Sequence, residues 1–233
     1  MTDVLVLVDH TDGELKNTTA ELLTAARAFG TPAAVVVGKP GTADSFAETL
    51  NKYGAGEILA AESDEAGKYL ITPEVDVLVG LAAERQVPVL VSASATGKEI
   101  AGRVAALTGS GLLSDVINIA DDRTATYSIF GGEYIVEGQG FGASPVYSVR
   151  PGAVDPAENA GSASVSAIEY PAAGEGAVEI VSFTPSEGGD RPDLAEAKIV
   201  VSGGRGVASA EGFTDVVEPM ADALGAAVGA SRA

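Results

Sequence analysis

The residues best suited to chemistry lie near the end of the chain, in a glycine-rich turn that carries one arginine. Lys198–Val201 is short and rich in β-branched residues, as expected of a strand, and Phe213–Val228 has apolar residues at helical spacing. Between them, Ser202–Gly206 can adopt positive φ angles and present backbone N–H groups to an anion. A plain turn with a surface arginine fits the pattern equally well. The residues predicted to form half of a nucleotide site are Gly203, Gly204, Arg205 and Gly206.

One strand and one helix cannot bury their own apolar face, so this last segment needs further elements to cover it. We therefore expect the sequence to stop inside a domain. The composition of Pro185–Asp190 is typical of a linker, which predicts domains at 1–190 and 191–233.

Composition excludes several classes of function. The 233 residues are 46% hydrophobic, enough for a sizeable core, and carry a formal net charge of -19. That charge repels nucleic acid and anionic lipid, and no apolar run approaches the roughly 20 residues of a membrane-spanning helix. The absence of cysteine excludes disulfides, thiolate nucleophiles and iron–sulfur ligands. Without a visible export segment, the expected location is cytoplasmic.

The first half of the chain alternates between predicted strands and helices. Val4–Val8 and Pro88–Ser92 are apolar runs, typical of strands covered on both faces. Thr18 with Glu21, and Thr96 with Glu99, are spaced as capping boxes at the starts of helices. The predicted fold is α/β, a doubly wound and mostly parallel sheet. The other elements expected here are strands at 33–37 and 58–60, and helices from about 43 to 53 and from Thr72.

After Gly109 the pattern changes to short β-type runs separated by glycine and proline. These runs predict hairpins or an extension of the sheet and no helix. Within the Ala-, Gly- and Pro-rich stretch 151–175, Val165–Tyr170 is predicted to be an edge strand, and Val178–Thr184 to be the last strand before the linker. The short runs themselves are at 115–119, 124–130, 134–137 and 146–149.

The common catalytic constellations are missing. His10 is the only histidine, which leaves no histidine pair for a metal and predicts a surface residue. Thr96–Lys98 resembles a phosphate loop, but Glu99 occupies the position of the magnesium-binding hydroxyl, so a helix cap is favoured. Gly138–Gly142 lies between β-type runs and predicts a tight bend. Nothing supports an acid–base pair.

Four segments together resemble the alpha subunit of electron transfer flavoprotein, over nearly the whole chain. They are Val4–His10, Ala95–Asp115 with its Ala-Thr-Gly-Lys-Glu and Gly-Ser-Gly-Leu-Leu-Ser-Asp motifs, Leu194–Gly206 and Ala226–Ala233. The last two are the most specific to that family.

The resemblance implies an electron carrier and not an enzyme. It implies a heterodimer with a beta subunit, one FAD, and electron transfer from primary dehydrogenases, such as those acting on acyl-CoA, to a quinone-linked oxidoreductase. The N-terminal domain would have a fold like that of adenine-nucleotide hydrolases and pack against the beta subunit. A β-rich extension and part of an FAD-binding α/β domain would follow. By position, Arg205 would contact the FAD diphosphate or its surroundings, and Ser231 and Arg232 would lie near the cofactor, with Arg232 beside the flavin ring.

Members of that family continue through Gln-Thr-Gly-Lys and Ile-Ser-Gly-Ala-x-Gln-His segments, which this sequence does not contain. We therefore expect an incomplete FAD site in these 233 residues. A stand-alone adenine-nucleotide-binding module is the alternative, since parallel sheets bind ligands at the carboxyl ends of their strands. A hydrolase or dehydrogenase would need a nucleophile–base pair or a complete dinucleotide turn, and neither is present.

Overall fold

The computed structural model describes residues 4–11, 13–174, 176–184, 191–192, 194 and 197–230. The chain divides into two compact units, Met1–Val181 and Ser182–Ala233, which we call unit 1 and unit 2. The domain bounds 1–190 and 191–233 stay a prediction.

Unit 1 is built on a seven-stranded sheet with the strand order β12-β5-β4-β1-β6-β11-β7. Every neighbouring pair in it is parallel, which confirms the predicted α/β class. The strands are β1 (Val4–Leu7), β4 (Pro32–Gly38), β5 (Glu57–Glu62), β6 (Val89–Ser92), β7 (Leu112–Val116), β11 (Val146–Val149) and β12 (Val165–Ile168). The helices are α1 (Asn17–Ala26), α2 (Thr42–Lys52), α3 (Thr72–Arg85) and α4 (Ala95–Thr108).

Helices cover both faces of this sheet, and strand side chains alternate between them. In β1, Val4 and Val6 point into the core beneath α1 and α2, whereas Leu5 and Leu7 join the core beneath α3 and α4. All four residues are buried, because each face of a parallel sheet is packed against helices. The continuous apolar run at the start of the chain therefore reflects burial on two sides.

The chain winds outward from β1 in both directions. It passes through α1 and α2 to β4 and β5, then crosses back through α3 to place β6 on the other side of β1. The switch point of the sheet lies between β1 and β6, where the loops after the two strands separate. His10 and Glu74 are both close to this point, because one follows β1 and the other belongs to the first turn of α3.

The β-rich part of unit 1 forms a second, antiparallel sheet with the order β10-β9-β8. The predicted hairpin is confirmed, since β9 and β10 pair antiparallel from Ala125 opposite Gly138 to Ile129 opposite Tyr134. Two of the predicted β-type runs instead contribute strands to the central sheet. The run 146–149 forms β11, and the run 115–119 overlaps β7, which begins earlier, at Leu112. The strands of this part and of the small hairpin near the start are β2 (His10–Thr11), β3 (Glu14–Leu15), β8 (Asn118–Ile119), β9 (Ala125–Ile129) and β10 (Tyr134–Gly138).

The Pro- and Gly-rich stretch after β11 crosses the sheet to the opposite edge, where β12 pairs with β5 as the predicted edge strand. Side chains of α1 and α2 satisfy its backbone. Arg27 donates to the Ala157 carbonyl at 2.6 Å, and Asn51 forms two hydrogen bonds with the backbone of Ala163. Hydrogen bonds from these side chains therefore fix the irregular segment against the two helices, in place of β-sheet hydrogen bonds.

Both predicted capping boxes are wrong. Thr18 lies inside α1, where its hydroxyl donates to Asp9, and the Glu21 carboxylate accepts from the Gly152 N–H. The cap of α4 is Ser94, whose Oγ accepts from the Gly97 N–H at 3.1 Å. At the first helix, the fold supplies other hydrogen-bond partners for Thr18 and Glu21. At α4, the capping residue is Ser94, two residues before the predicted Thr96.

The strand predicted at Val178–Thr184 is also wrong. Only an isolated antiparallel bridge between Tyr69 and Glu179 occurs here, and most of the segment is exposed. None of the described helices is long and apolar enough to span a bilayer.

Unit 2 is a strand–helix–strand motif. Its parallel strands pair from Val200 opposite Ala227 to Gly203 opposite Ala230. The predicted helix Phe213–Val228 is wrong at its end, because Gly225 adopts a left-handed conformation, with φ 60°, and stops it. The elements are β13 (Val200–Gly203), a 3-10 turn (Arg205–Val207), α5 (Ala210–Gly212), a π-helical turn (Phe213–Val217), α6 (Glu218–Leu224) and β14 (Ala227–Ala230).

Candidate functional site

The turn after β13 offers unpaired backbone donors. The N–H groups of Gly204, Arg205 and Gly206 donate to no backbone carbonyl among the described residues, whereas the next three bond to Gly204, Arg205 and Val207. The Arg205 side chain is exposed and forms no ion pair with any described residue. Three N–H groups without a backbone acceptor among the described residues, beside a guanidinium, suit a phosphate or another anion.

The glycines of this turn do not supply positive φ, and close packing requires a glycine only at Gly203. None of Gly203, Gly204 and Gly206 has φ in the left-handed region, which corrects the expectation from sequence; Ala208 has it instead, at 67°. A Cβ on Gly203 would lie 2.6 Å from Cζ of Phe213. Gly203 therefore lets the helix begin directly above the end of β13, as the glycines of nucleotide-binding turns do.

The second strand of unit 2 was missed from sequence. The signal was present, because Gly225 is a typical residue after a helix end and the short apolar run Ala226–Ala230 follows it. Since β13 and β14 are parallel, the chain leaves both at the same end of the sheet. Ser231 and Arg232, predicted from sequence to lie near the cofactor, are outside the described residues.

Arg191, also in unit 2, forms ion pairs with acidic residues of the same unit. Arg191 donates to both carboxylate oxygens of Asp222, at 2.6 and 3.1 Å, and its Nη2 is 3.4 Å from Glu218. The guanidinium holds the pKa of Asp222 below its usual value. Of the two arginines among the described residues of unit 2, Arg205 is the one without an ion pair to a described residue.

A small cavity of about 110 Å³ lies at the switch point in unit 1. The predicted surface histidine is half-buried here, with His10 Nε2 2.9 Å from the Val37 carbonyl oxygen, so that prediction is wrong. Burial raises the pKa of Glu74, whose carboxyl also lines the cavity. Lys98, from the segment that resembles a phosphate loop, pairs with Asp115 at 3.5 Å. The cavity is smaller than the roughly 300 Å³ at which ligand pockets begin.

The antiparallel hairpin formed by β9 and β10, residues 125–138, is the most apolar exposed part of unit 1. We call it the β-arm. Every residue of β10 but the last is exposed, and Phe130 and Tyr134 contact each other edge-to-face at 5.8 Å while remaining largely open to solvent. The exposed fractions of the large apolar side chains are 38% for Ile129, 76% for Phe130, 58% for Tyr134, 62% for Ile135 and 42% for Val136.

Comparison with known proteins agrees with this arrangement. Residues 4–174 match the family described as the electron transfer flavoprotein domain, and residues 193–233 match the electron transfer flavoprotein FAD-binding domain. The electron transfer flavoprotein subunit alpha of Mycobacterium leprae (strain TN) is 56% identical over all of this chain and 73% of its own length. The chain belongs to this family. Relatives of the same name from Mycobacterium tuberculosis (strain CDC 1551 / Oshkosh) and Paracoccus denitrificans are 57% and 37% identical, over 100% and 99% of this chain and 73% of each relative.

The family resemblance inferred from sequence is thus confirmed, and with it the function of electron transfer as a flavoprotein alpha subunit. The match to the FAD-binding domain begins close to Arg191 and includes β13, the turn and β14. Flavin binding is therefore associated with unit 2. Among the described residues, no group of three or more histidine, aspartate or glutamate side chains is arranged to hold a metal ion.

Proposed function

We propose that the turn after β13 binds the diphosphate of FAD, the cofactor through which this family transfers electrons. The observation that carries the proposal is that the N–H groups of Gly204, Arg205 and Gly206 donate to no backbone carbonyl of the described residues, beside a guanidinium that pairs with none of those residues. Gly203 leaves no Cβ in the way of the helix, so the helix and the turn lie close together. These donors fit a doubly charged linker between two nucleotide halves.

The parallel pairing of β13 and β14 supports a role for the residues that follow β14. We propose that Ser231 and Arg232, which follow β14 in sequence, lie near the cofactor, with Arg232 beside the flavin ring. FAD supplies the two-electron and one-electron chemistry; the arginine supplies a positive charge, which stabilises negative charge on a ring from which water is excluded.

The 233 residues are proposed to bind FAD only weakly by themselves. The β13–β14 sheet leaves apolar side chains exposed, including Ile199 at 47% and Val200 at 42%. A two-stranded sheet with an uncovered face holds its loops less firmly than a packed one, and ordering them around a cofactor opposes binding. An incomplete FAD site therefore stays a prediction.

Substitution of Arg205 tests the diphosphate site. FAD is titrated into the purified chain together with a cognate beta subunit, and binding is followed by quenching of flavin fluorescence. We expect Arg205→Ala to raise the Kd about 10-fold to 100-fold, since a hydrogen bond to a charged group contributes about 1.5–3 kcal/mol. The Kd of Arg205→Lys should lie between those of the unchanged chain and Arg205→Ala, because lysine keeps the positive charge but lacks the several N–H donors of the guanidinium.

Arg103→Ala is the matched control. Arg103 is about as exposed, with 48% of its side chain open, and pairs with Glu99 on α4, so the same charge is removed far from the turn in sequence. An unchanged Kd in Arg205→Ala, or an equal change in Arg103→Ala, contradicts the proposed site.

We propose further that the chain forms a heterodimer with a beta subunit and uses the β-arm to do so. An exposed, mostly apolar hairpin with a free edge strand is a surface that proteins normally cover. In this assembly the protein carries electrons from primary dehydrogenases, including those that act on acyl-CoA, to a quinone-linked oxidoreductase, in the cytoplasm. It is a carrier and not an enzyme.

Copurification tests the role of the β-arm. Ile135→Asp places a charge in the middle of β10 and should lower association with a tagged beta subunit at least 10-fold. Leu107→Asp is the control, because Leu107 is 65% exposed on unit 1 and lies outside the β-arm. If both variants associate like the unchanged chain, the β-arm is not the docking surface; if the unchanged chain does not associate, the heterodimer itself is wrong.

The position of the cavity at the switch point is the one observation that favours an adenine-nucleotide module. Its small volume and the Glu74 carboxyl in its lining both oppose a nucleotide. Calorimetry with AMP and ATP should therefore show no heat of binding; stoichiometric heat would favour the module.

A further inference from the structure

The β-arm is packed against unit 1 at its base and not at its end. At the base, Ala125 is fully buried and Tyr127 packs against the core beneath α1 and α2. Every residue in the range 129–137, which we call the tip, is exposed. A hairpin end with so few buried contacts opens readily unless another group holds it.

Arg150 holds the β-arm at the point where the tip begins. It directly follows β11, and its Nη2 donates to the Asp115 carboxylate at 2.8 Å and to the Ser128 carbonyl at 3.0 Å. Among the described residues, this is the one side-chain hydrogen bond that reaches the β-arm from the rest of unit 1. The guanidinium therefore connects a strand of the seven-stranded sheet to β9.

A β-bulge at the end of β7 directs the Asp115 carboxylate toward Arg150. The residues before and after Asp115 pair with successive residues of β11, so Asp115 is the extra residue of the bulge. Its φ is 65°, a left-handed conformation that aspartate adopts more often than most residues. Its N–H donates to the Ser148 hydroxyl oxygen at 2.9 Å. Bulges commonly change the direction of one side chain in this way.

We propose that Asp115 and Arg150, which we call the clamp, hold the β-arm in the conformation that docks on its partner. Asp115 orients the guanidinium, and the guanidinium fixes the backbone at Ser128. Both residues act by positioning the β-arm and need not touch the partner themselves. The inference rests on the docking role proposed above for the β-arm. A segment that is ordered before binding loses less conformational entropy on binding, so the clamp raises affinity.

The clamp and the tip line the same open groove, which has a volume of about 560 Å³. Asp115 and Arg150 form its charged part, and Ile129 and Phe130 form its apolar part. A movement of the tip away from Arg150 changes the shape of this groove. It also changes the surface that unit 1 offers to a partner.

Hydrogen exchange on the chain without a partner tests whether the clamp orders the β-arm. We expect Arg150→Ala to speed exchange of the amides between β9 and β10 about 3-fold to 10-fold. The factor is modest because 37% of each side chain of the clamp is exposed, and solvent screens their interaction.

Lys98→Ala is the matched control. It also removes a positive charge from beside Asp115, since the Lys98 ammonium is 3.5 Å from the other carboxylate oxygen, but Lys98 has no hydrogen bond or ion pair to the described β-arm. Exchange in the β-arm should match that of the unchanged chain. Equal exchange in Arg150→Ala and Lys98→Ala would overturn the proposal.

Asp115→Asn tests whether Asp115 acts through Arg150. Asparagine tolerates the left-handed conformation and keeps an oxygen that accepts from the guanidinium, so its effect on exchange should be smaller than that of Arg150→Ala. Added to Arg150→Ala, Asp115→Asn should have no further effect on the β-arm. The same effect in both backgrounds would show that Asp115 does not act through Arg150.

Titration with a tagged beta subunit tests the consequence for docking. Arg150→Ala should weaken association about 3-fold to 10-fold, less than Ile135→Asp, and Lys98→Ala should not change it. The titration is done where circular dichroism shows every variant fully folded, so that a lower stability of unit 1 does not by itself alter association.

The same titration separates the two proposals. If Ile135→Asp weakens association and Arg150→Ala does not, the clamp has no role in docking, while the β-arm remains the docking surface. If neither variant weakens association, the docking role of the β-arm is wrong, and the role of the clamp in docking is wrong with it.

Discussion

The two units of this chain use the same motif, parallel strands joined by helices, with opposite results for burial. In unit 1 the seven strands are covered on both faces, and Leu5, Leu90 and Tyr147 are essentially inaccessible to solvent. In unit 2 the sheet has two strands, and Leu224 on its helix is 52% exposed. The comparison shows that a correct local motif does not ensure a core, because burial grows with the number of elements that surround a strand.

The largest expected difference between the units lies in their cores. Leu90→Ala, in the middle of β6, should lower the free energy of unfolding of unit 1 by about 2–5 kcal/mol, since it removes a fully buried side chain and leaves a cavity. Leu224→Ala should change the free energy of unfolding of unit 2 by only about 0.5 kcal/mol or less, because Leu224 is already half-exposed. Hydrogen exchange measured at individual residues in increasing urea gives the unfolding free energy of each unit separately. Similar losses in both would mean that unit 2 has a core of its own.

A smaller effect is expected from the close contact between Gly203 and Phe213 in unit 2. Gly203→Ala puts a methyl group 2.6 Å from the Phe213 ring and should destabilise unit 2 by about 1–3 kcal/mol. Gly204→Ala is the control, because a Cβ there has no neighbour within 4 Å. Phe213→Leu should partly rescue Gly203→Ala when stability is measured by circular dichroism. Equal losses in the two glycine variants would rule out the packing explanation.

The smallest expected effects come from the ion pairs, one in each unit. Arg150 donates to Asp115 at 2.8 Å and holds the pKa of Asp115 below its usual 3.8. The resulting stability is present above pH 3.8 and is lost as the pH falls through the folded pKa. Asp115→Asn should therefore lower the thermal midpoint of unit 1 at neutral pH and make no difference in strong acid.

Because Asp115 is more than one-third exposed, solvent screening should keep this loss under about 1 kcal/mol. Asp222→Asn removes the corresponding pair with Arg191 on the surface of unit 2 and should have the weaker effect. A larger loss from Asp222→Asn would reverse the comparison.

Local pattern was enough to place most elements of unit 1. Apolar runs such as Val4–Val8 and helical stretches such as the one from Thr72 stand out because parallel strands and their covering helices have strong, distinct periodicities. Local pattern was not enough to predict the N-terminal caps of the helices. Thr18 and Glu21 have the right spacing, yet Asp9 and Gly152, distant in sequence, bind their side chains.

The candidate sites were predicted unevenly for the same reason. The turn Ser202–Gly206 was located because glycines between a strand and a helix are a local pattern. Its mechanism was misjudged, since the need for glycine comes from Phe213, ten residues beyond Gly203. Glu74 was not singled out at all, because a carboxylate in the first turn of a helix is ordinary until the fold places it in the lining of a cavity.

By itself the sequence determined the α/β class, the alternation of strands and helices, the glycine turn with Arg205 and the family, because each is encoded in residues close together along the chain. The tertiary structure alone decided the order of the strands, the switch point between β1 and β6, the exposed β-arm and the cavity that His10 and Glu74 both line. These features depend on which surfaces lie against each other once apolar area is buried, and that is a property of distant residues acting together.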